Sequence, residues 1–174
     1  MTDYFKRINT SDLYQPLLLK AQTLIKNCAD KGHVFFVTSG GRGKAEQNAL
    51  YALGRTVKNP TGACAKKPLG NIVTNAKFGQ SAHSFMIGID VTHDLDGNGD
   101  NGLQPDWNLP NYKILAEEAA KVGLESGVNW TSFPDAPHLQ LPISKHNIKL
   151  QDLAKIFESG GYPAVFAFLN KFQW

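Results

Sequence analysis

Two short stretches hold side chains able to share one cation. The first, Ser81-Ala-His-Ser-Phe-Met-Ile-Gly-Ile-Asp90, sets His83 before an apolar run that ends in Asp90. A carboxylate entering a core is costly unless a cation or several donors meet it. Asp90 is therefore either a strand-end residue bonded to backbone or, with His83, a holder of positive charge. Seven residues are too many for contact along one strand, so the chain has to turn at 81–84 to bring the imidazole back. Alone, His83 reads as an ordinary turn or surface histidine. The second stretch, Trp130-Thr-Ser-Phe-Pro-Asp135-Ala-Pro-His138, uses Pro134 and Pro137 to restrict the backbone around Asp135 and His138. Two histidines and one aspartate make a normal ligand set for a catalytic zinc, with a fourth position left open. A nearby carboxylate off the metal can carry protons, and Asp135 is available for that work.

The two stretches together, Ser81-x-His83-x6-Asp90 and Trp130-x2-Phe133-x-Asp135-x-Pro137-His138, resemble the signature of the M15 metallopeptidases. That group includes D-alanyl-D-alanine carboxypeptidases and L-alanyl-D-glutamate endopeptidases, many of them phage endolysins. Upstream, Thr38-Ser-Gly-Gly-Arg42-x4-Gln47-Asn-Ala-Leu-Tyr51-x2-Gly54-Arg55-Thr56 and Val73-Thr-Asn-Ala76 resemble the endolysin branch. The resemblance implies zinc on His83, Asp90 and His138, with Asp135 as general base. It implies that Arg42 stabilises the oxyanion, a task suited to an always-charged guanidinium. Gln47, Ser81 and Trp130 stand in the same motifs and are expected to contact substrate. The implied reaction is hydrolysis of the L-alanyl-D-glutamate bond in bacterial peptidoglycan. The alternatives are a D-alanyl-D-alanine carboxypeptidase or dipeptidase, and a zinc-stabilised wall-binding module that cuts nothing. Two departures touch the groove rather than the ligands. Met86-Ile87 replace the family's usual glycine after the first histidine, and Ser126-Gly-Val-Asn-Trp130 replaces a Trp-Gly-Gly-x-Trp run.

A second ion is suggested by Asp94-Leu-Asp96-Gly-Asn98-Gly-Asp100, which places oxygen donors and a glycine as in the first half of a calcium loop. Pro105 falls where the bidentate carboxylate belongs, so the competing reading is an acidic surface loop. Other polar residues carry no such pattern. Extension of the chain past Asp90 points His93 to the opposite face, Arg55 suits a helix end, and His33, His146 and Cys64 have no evident partner.

The elements around these residues read as follows. Helices are predicted from Ser11 to about Asn27, from Lys44 to Leu53, from Pro110 to Val122, from Leu150 to Glu158, and from Pro163 onward. Gly160-Gly161 separates the last two. Strands are predicted at His33–Thr38, Asn71–Thr74, Phe85–Val91 and His138–Leu141, with loops at 58–70 and 94–107. In the third strand Phe85, Ile87, Ile89 and Val91 would share one face, and Met86, Gly88 and Asp90 the other. This is an α+β pattern: helices around a small, mainly antiparallel sheet, in one domain spanning 1–174. The family resemblance implies a Hedgehog/DD-peptidase-like arrangement.

Composition bounds the rest. The chain has 174 residues, 42% of them apolar, enough for one core and short for two domains. Its formal charge of +3 favours anionic polymers only mildly, and no nucleic-acid-reading motif is present. No run of about 18 apolar residues occurs, so no membrane insertion is expected. The start lacks the apolar run of a signal peptide, and two cysteines do not demand a bridge. The expectation is a monomer that waits in a host bacterium's cytoplasm until the membrane is permeabilised, then acts on the wall.

Overall fold

The structure, a computed structural model, describes residues 2–98 and 102–174. Helix α1, Gln15–Ala29, buries Leu17, Ala21, Leu24, Ile25 and Cys28, a spacing of three and four that makes one apolar face. It starts later than Ser11. Residues 10–12 form a separate 3-10 turn capped by Asn9, and Pro16 occupies the first turn of α1, where a missing N–H costs nothing. Strand β1, Phe35–Ser39, and helix α2, Lys44–Ala52, follow.

The next segment departs from its expected form. Ala82–Phe85 is a buried 3-10 turn, closed by the Met86 and Ile87 amides on the carbonyls of His83 and Ala82. Strand β2 begins only at Gly88 and runs to Asp94. Met86 ends the turn in the left-handed region at φ 62°, the position where a glycine would sit without strain. Holding a methionine there costs about 1–3 kcal/mol. Ile87, Ile89 and Val91 follow directly, each fully buried and contributing about 1.5–3 kcal/mol, so the turn is held. Residues 71–74 form no strand and remain outside the sheet.

Strand β3 is Pro105–Asp106, helix α3 is Leu109–Lys121, β4 is Glu125–Ser126 and β5 is His138–Gln140. The sheet is antiparallel throughout, in the order β1-β2-β5-β4, with β3 also paired to β2. The last helix, α4, Leu150–Leu169, is broken at Gly160 and Gly161; the latter has φ 63°, which a larger residue would resist. Helix α1 packs on β1 and α3, and α4 covers the 82–85 turn. One apolar cluster runs through Leu17, Leu24, Phe35, Ile89, Tyr112, Leu139 and Leu169. This is the expected α+β architecture. No helix among the described residues is long and apolar enough to cross a membrane.

Both thiols are free; burial pushes Cys28 up to about 12, helped by the charge of Glu118, whereas Cys64 is exposed. Glu118 is itself covered, and its carboxylate accepts from both Lys121 and Lys31. Those bonds hold its pKa below the ordinary glutamate value. A carboxyl depressed by folding contributes stability above its unfolded pKa and loses it as pH falls through the folded value. Glu118→Gln is therefore expected to lower the melting temperature at pH 7, with the gap to wild type closing on acidification. A gap independent of pH would contradict the ion-pair account.

Candidate metal centre

The register of two strands builds the site. Asp90 on β2 lies directly opposite His138 on β5, and directly opposed residues project from the same face of an antiparallel pair. His83 arrives from the 3-10 turn before β2, whose amide is capped by the Ser81 hydroxyl. The result is a nearly equilateral triangle. His83 Nε2 is 3.1 Å from Asp90 Oδ1, His138 Nδ1 is 3.2 Å from the same oxygen, and the two nitrogens are 3.2 Å apart. A tetrahedral zinc with bonds of about 2.0 Å has ligand-to-ligand edges of about 3.3 Å. Among the described residues this is the one group of three or more His, Cys, Asp or Glu side chains that could hold a metal ion.

The outer atoms fit the same purpose. His83 Nδ1 donates to the Gly40 carbonyl at 2.6 Å, and His138 Nε2 to Gln140 Oε1 at 3.0 Å, so each ring turns a lone pair inward. Arg42 Nη2 donates to Asp90 Oδ2 at 3.2 Å and to the Ser39 hydroxyl, leaving Oδ1 for the centre. Two lone pairs and a carboxylate oxygen this close repel unless a positive charge lies among them. The titration tendencies report the same demand. Burial alone would raise the Asp90 carboxyl, but the bonds and charges of His138 and His83 hold it well below the usual range. Burial would lower His138, yet Asp90, Gln140 and Asp135 together raise it. A divalent cation answers that demand and displaces the proton. The donor set therefore fits zinc.

Above the triangle runs a groove of about 880 Å³, lined by His83, Asp90 and His138 and also by Arg42, Ser81, Trp130 and Asp135. The Trp130 ring lies 5.1 Å from the His138 ring, and its indole N–H is held by Glu125. Asp135 reaches solvent; partial desolvation raises its pKa, Asp90 adds to the rise, and His138, His83 and Arg42 oppose it. Gln47 requires a correction. It is fully buried, donates to the Ala76 carbonyl and lies under the groove wall rather than on it. Arg55 also braces that wall, through Thr74 and Asn75. His93 bonds Asp106, away from the centre, and His146 packs on Phe172 and Trp174.

Gln140, Gly40 and Ser39 escaped the sequence reading. Gln140 follows His138 by two residues in a strand, so period-two alternation could have found it; the Gly40 carbonyl and Ser39 hydroxyl carry no comparable signal. Gly88 on β2 packs closely against the centre. The space beside it is occupied: a Cβ there would lie 2.8 Å from Ala82 Cβ and 3.2 Å from His138 Cε1.

No family model matches the chain. It is, however, 32% identical over 140 residues to the peptidoglycan L-alanyl-D-glutamate endopeptidase CwlK of Bacillus subtilis, covering 75% of this chain and 74% of that protein. The chain belongs to the M15 metallopeptidase family. Solved structures agree with this M15 peptidase in fold. A variant of the vancomycin-resistance D,D-pentapeptidase VanY, in complex with Zn(II), aligns with a TM-score of 0.53 at 16% identity, covering 84% of this chain and 86% of that one. The LD-carboxypeptidase LdcB aligns with a TM-score of 0.50 at 16% identity, over 87% and 82%.

If the triangle is the zinc site of this M15 peptidase, Gly88→Ala will push the His138 ring out of place. Its zinc affinity is expected to fall by one to two orders of magnitude, roughly what a lost supporting contact costs. Competition against a chromophoric chelator measures it, and wild-type affinity in that variant would contradict the geometry.

Proposed function

We propose that this M15 peptidase hydrolyses the bond between L-alanine and D-glutamate in the stem peptides of bacterial peptidoglycan. The observation that carries the reading is the His83–Asp90–His138 triangle in the groove, with Asp135 beside it. The relative that is 32% identical over 140 residues is named for that bond. Zinc held by His83, Asp90 and His138 would supply Lewis-acid polarisation of the scissile carbonyl and a water acidified to near neutral pH. Asp135 takes a proton from the attacking water and returns it to the leaving nitrogen. Its raised pKa suits both halves of that transfer better than an ordinary aspartate would. Arg42 commits Nη2 to Asp90 and Ser39, and its remaining guanidinium nitrogens have no hydrogen-bond partner among the described residues. Those donors meet the negative oxygen that develops on the carbonyl. Ser81 and Trp130 line the groove and contact the peptide.

Mass analysis of peptides released from purified peptidoglycan tests this directly. The expected products carry new L-alanine carboxyl and D-glutamate amino ends. Release of terminal D-alanine would assign a carboxypeptidase instead, and wall binding without products a non-catalytic module. Asp135→Asn is expected to lose at least about a hundredfold in kcat while retaining its zinc. We extend the proposal, from the likeness to endolysins, to a phage lysis enzyme that reaches the wall once the host membrane is permeabilised. All its ligands come from one chain, so a monomer carries the whole site. Cells expressing it should stay intact until a permeabiliser is added, then lyse; lysis without one ends that extension.

We also propose that calcium binds the loop after β2. One observation favours it: the Asp94 carboxyl is fully buried, with Oδ1 on the Gln104 amide and Oδ2 without a hydrogen-bond partner among the described residues. Asp96 lies nearby, accepting from Asn98 and Gln104; Asp100 falls outside the described residues. The loop begins at the end of the strand that carries Asp90, so an ion held there would brace the end of that strand. Hydrolysis is expected to rise severalfold with calcium. Full activity in a calcium-selective chelator, with zinc retained, would refute the proposal.

A further inference from the structure

Gln140 stands where two demands meet. Its Oε1 is 3.0 Å from His138 Nε2, and the residue also lines the groove. Because His138 turns Nδ1 toward Asp90 and His83, its ring proton has to sit on Nε2 for the Nδ1 lone pair to hold a metal. That proton fixes the Gln140 amide with its oxygen toward the ring. The NH2 is then left on the other branch of the amide, and no group among the described residues accepts from it. Backbone pairing on both sides of β5, to Gly88 and to Glu125, prevents the residue from swinging away.

We infer that Gln140 serves both the metal centre and the substrate. Its carbonyl oxygen positions His138 by fixing the tautomer, and its NH2 donates to a carbonyl or carboxylate oxygen of the bound stem peptide. The inference rests on reading His138 as a zinc ligand and the groove as the peptide site. It also couples the two. An acceptor on the NH2 polarises the amide and strengthens the bond its oxygen makes to His138. Substrate binding thereby increases the electron density that His138 offers the metal.

Three variants separate the roles, read by zinc competition and by steady-state kinetics on a synthetic stem peptide. Gln140→Glu keeps an acceptor and loses the donor; Gln140→Met loses both without adding charge; Gln140→Asn withdraws both by one methylene. Zinc affinity is expected to fall about 10- to 100-fold in Gln140→Met and Gln140→Asn, and to be retained or tightened in Gln140→Glu. At saturating zinc, KM is expected to rise roughly tenfold in both Gln140→Glu and Gln140→Met, with kcat changed less. Wild-type zinc affinity in Gln140→Met and Gln140→Asn would overturn the positioning role. A KM rise confined to Gln140→Glu would mark charge repulsion and overturn the donor role. A wild-type protein that binds no zinc would overturn the metal centre, and this inference with it.

Discussion

The pairing of Asp90 with His138 across β2 and β5 is the constraint from which the centre follows. A slip of one residue in that register would send one of the two side chains to the opposite face. The register is set by burial: Ile89 and Leu139, the neighbouring pair, are both fully enclosed, and neither can reach solvent without losing about 1.5–3 kcal/mol. The apolar face of the sheet thus holds the polar face in place. His83 is then delivered by a turn rather than a strand, and the left-handed Met86 is the bend that makes delivery possible.

Electrostatics and packing are matched here. An anionic Asp90 in this setting is tolerable because the Arg42 guanidinium donates to Oδ2 and a cation shared with His83 and His138 would meet Oδ1. Each imidazole is in turn oriented by an oxygen on its far side. One comes from the loop after β1 and one from β5 itself, so the centre draws on the elements on both sides of β2. Removing any one partner leaves a buried group unsatisfied, which is the expensive case.

Much of this was legible in the chain itself. The helices and the break at Gly160-Gly161 follow from spacing and punctuation, and the ligand residues from the resemblance of their two motifs to the M15 signature. Residues 82–87 did not, because an apolar run looks alike whether it forms a strand or a buried turn. The role of Gln47 was also misplaced. The residue stands in the motif that resembles the endolysin branch, but its position on α2 points it into the interior, where it meets Ala76. Partners supplied by backbone, such as the Gly40 carbonyl, leave no trace in side-chain chemistry.

The groove walls are made differently from its floor. The floor is a hydrogen-bonded sheet, but the 72–76 flank is tied down by side chains reaching from Gln47 and Arg55. Insertions or exchanges in such a flank disturb few backbone bonds and none of the ligands. The architecture therefore permits selectivity to drift between related enzymes while the reactive centre stays fixed, so that one scaffold can come to cut several different linkages.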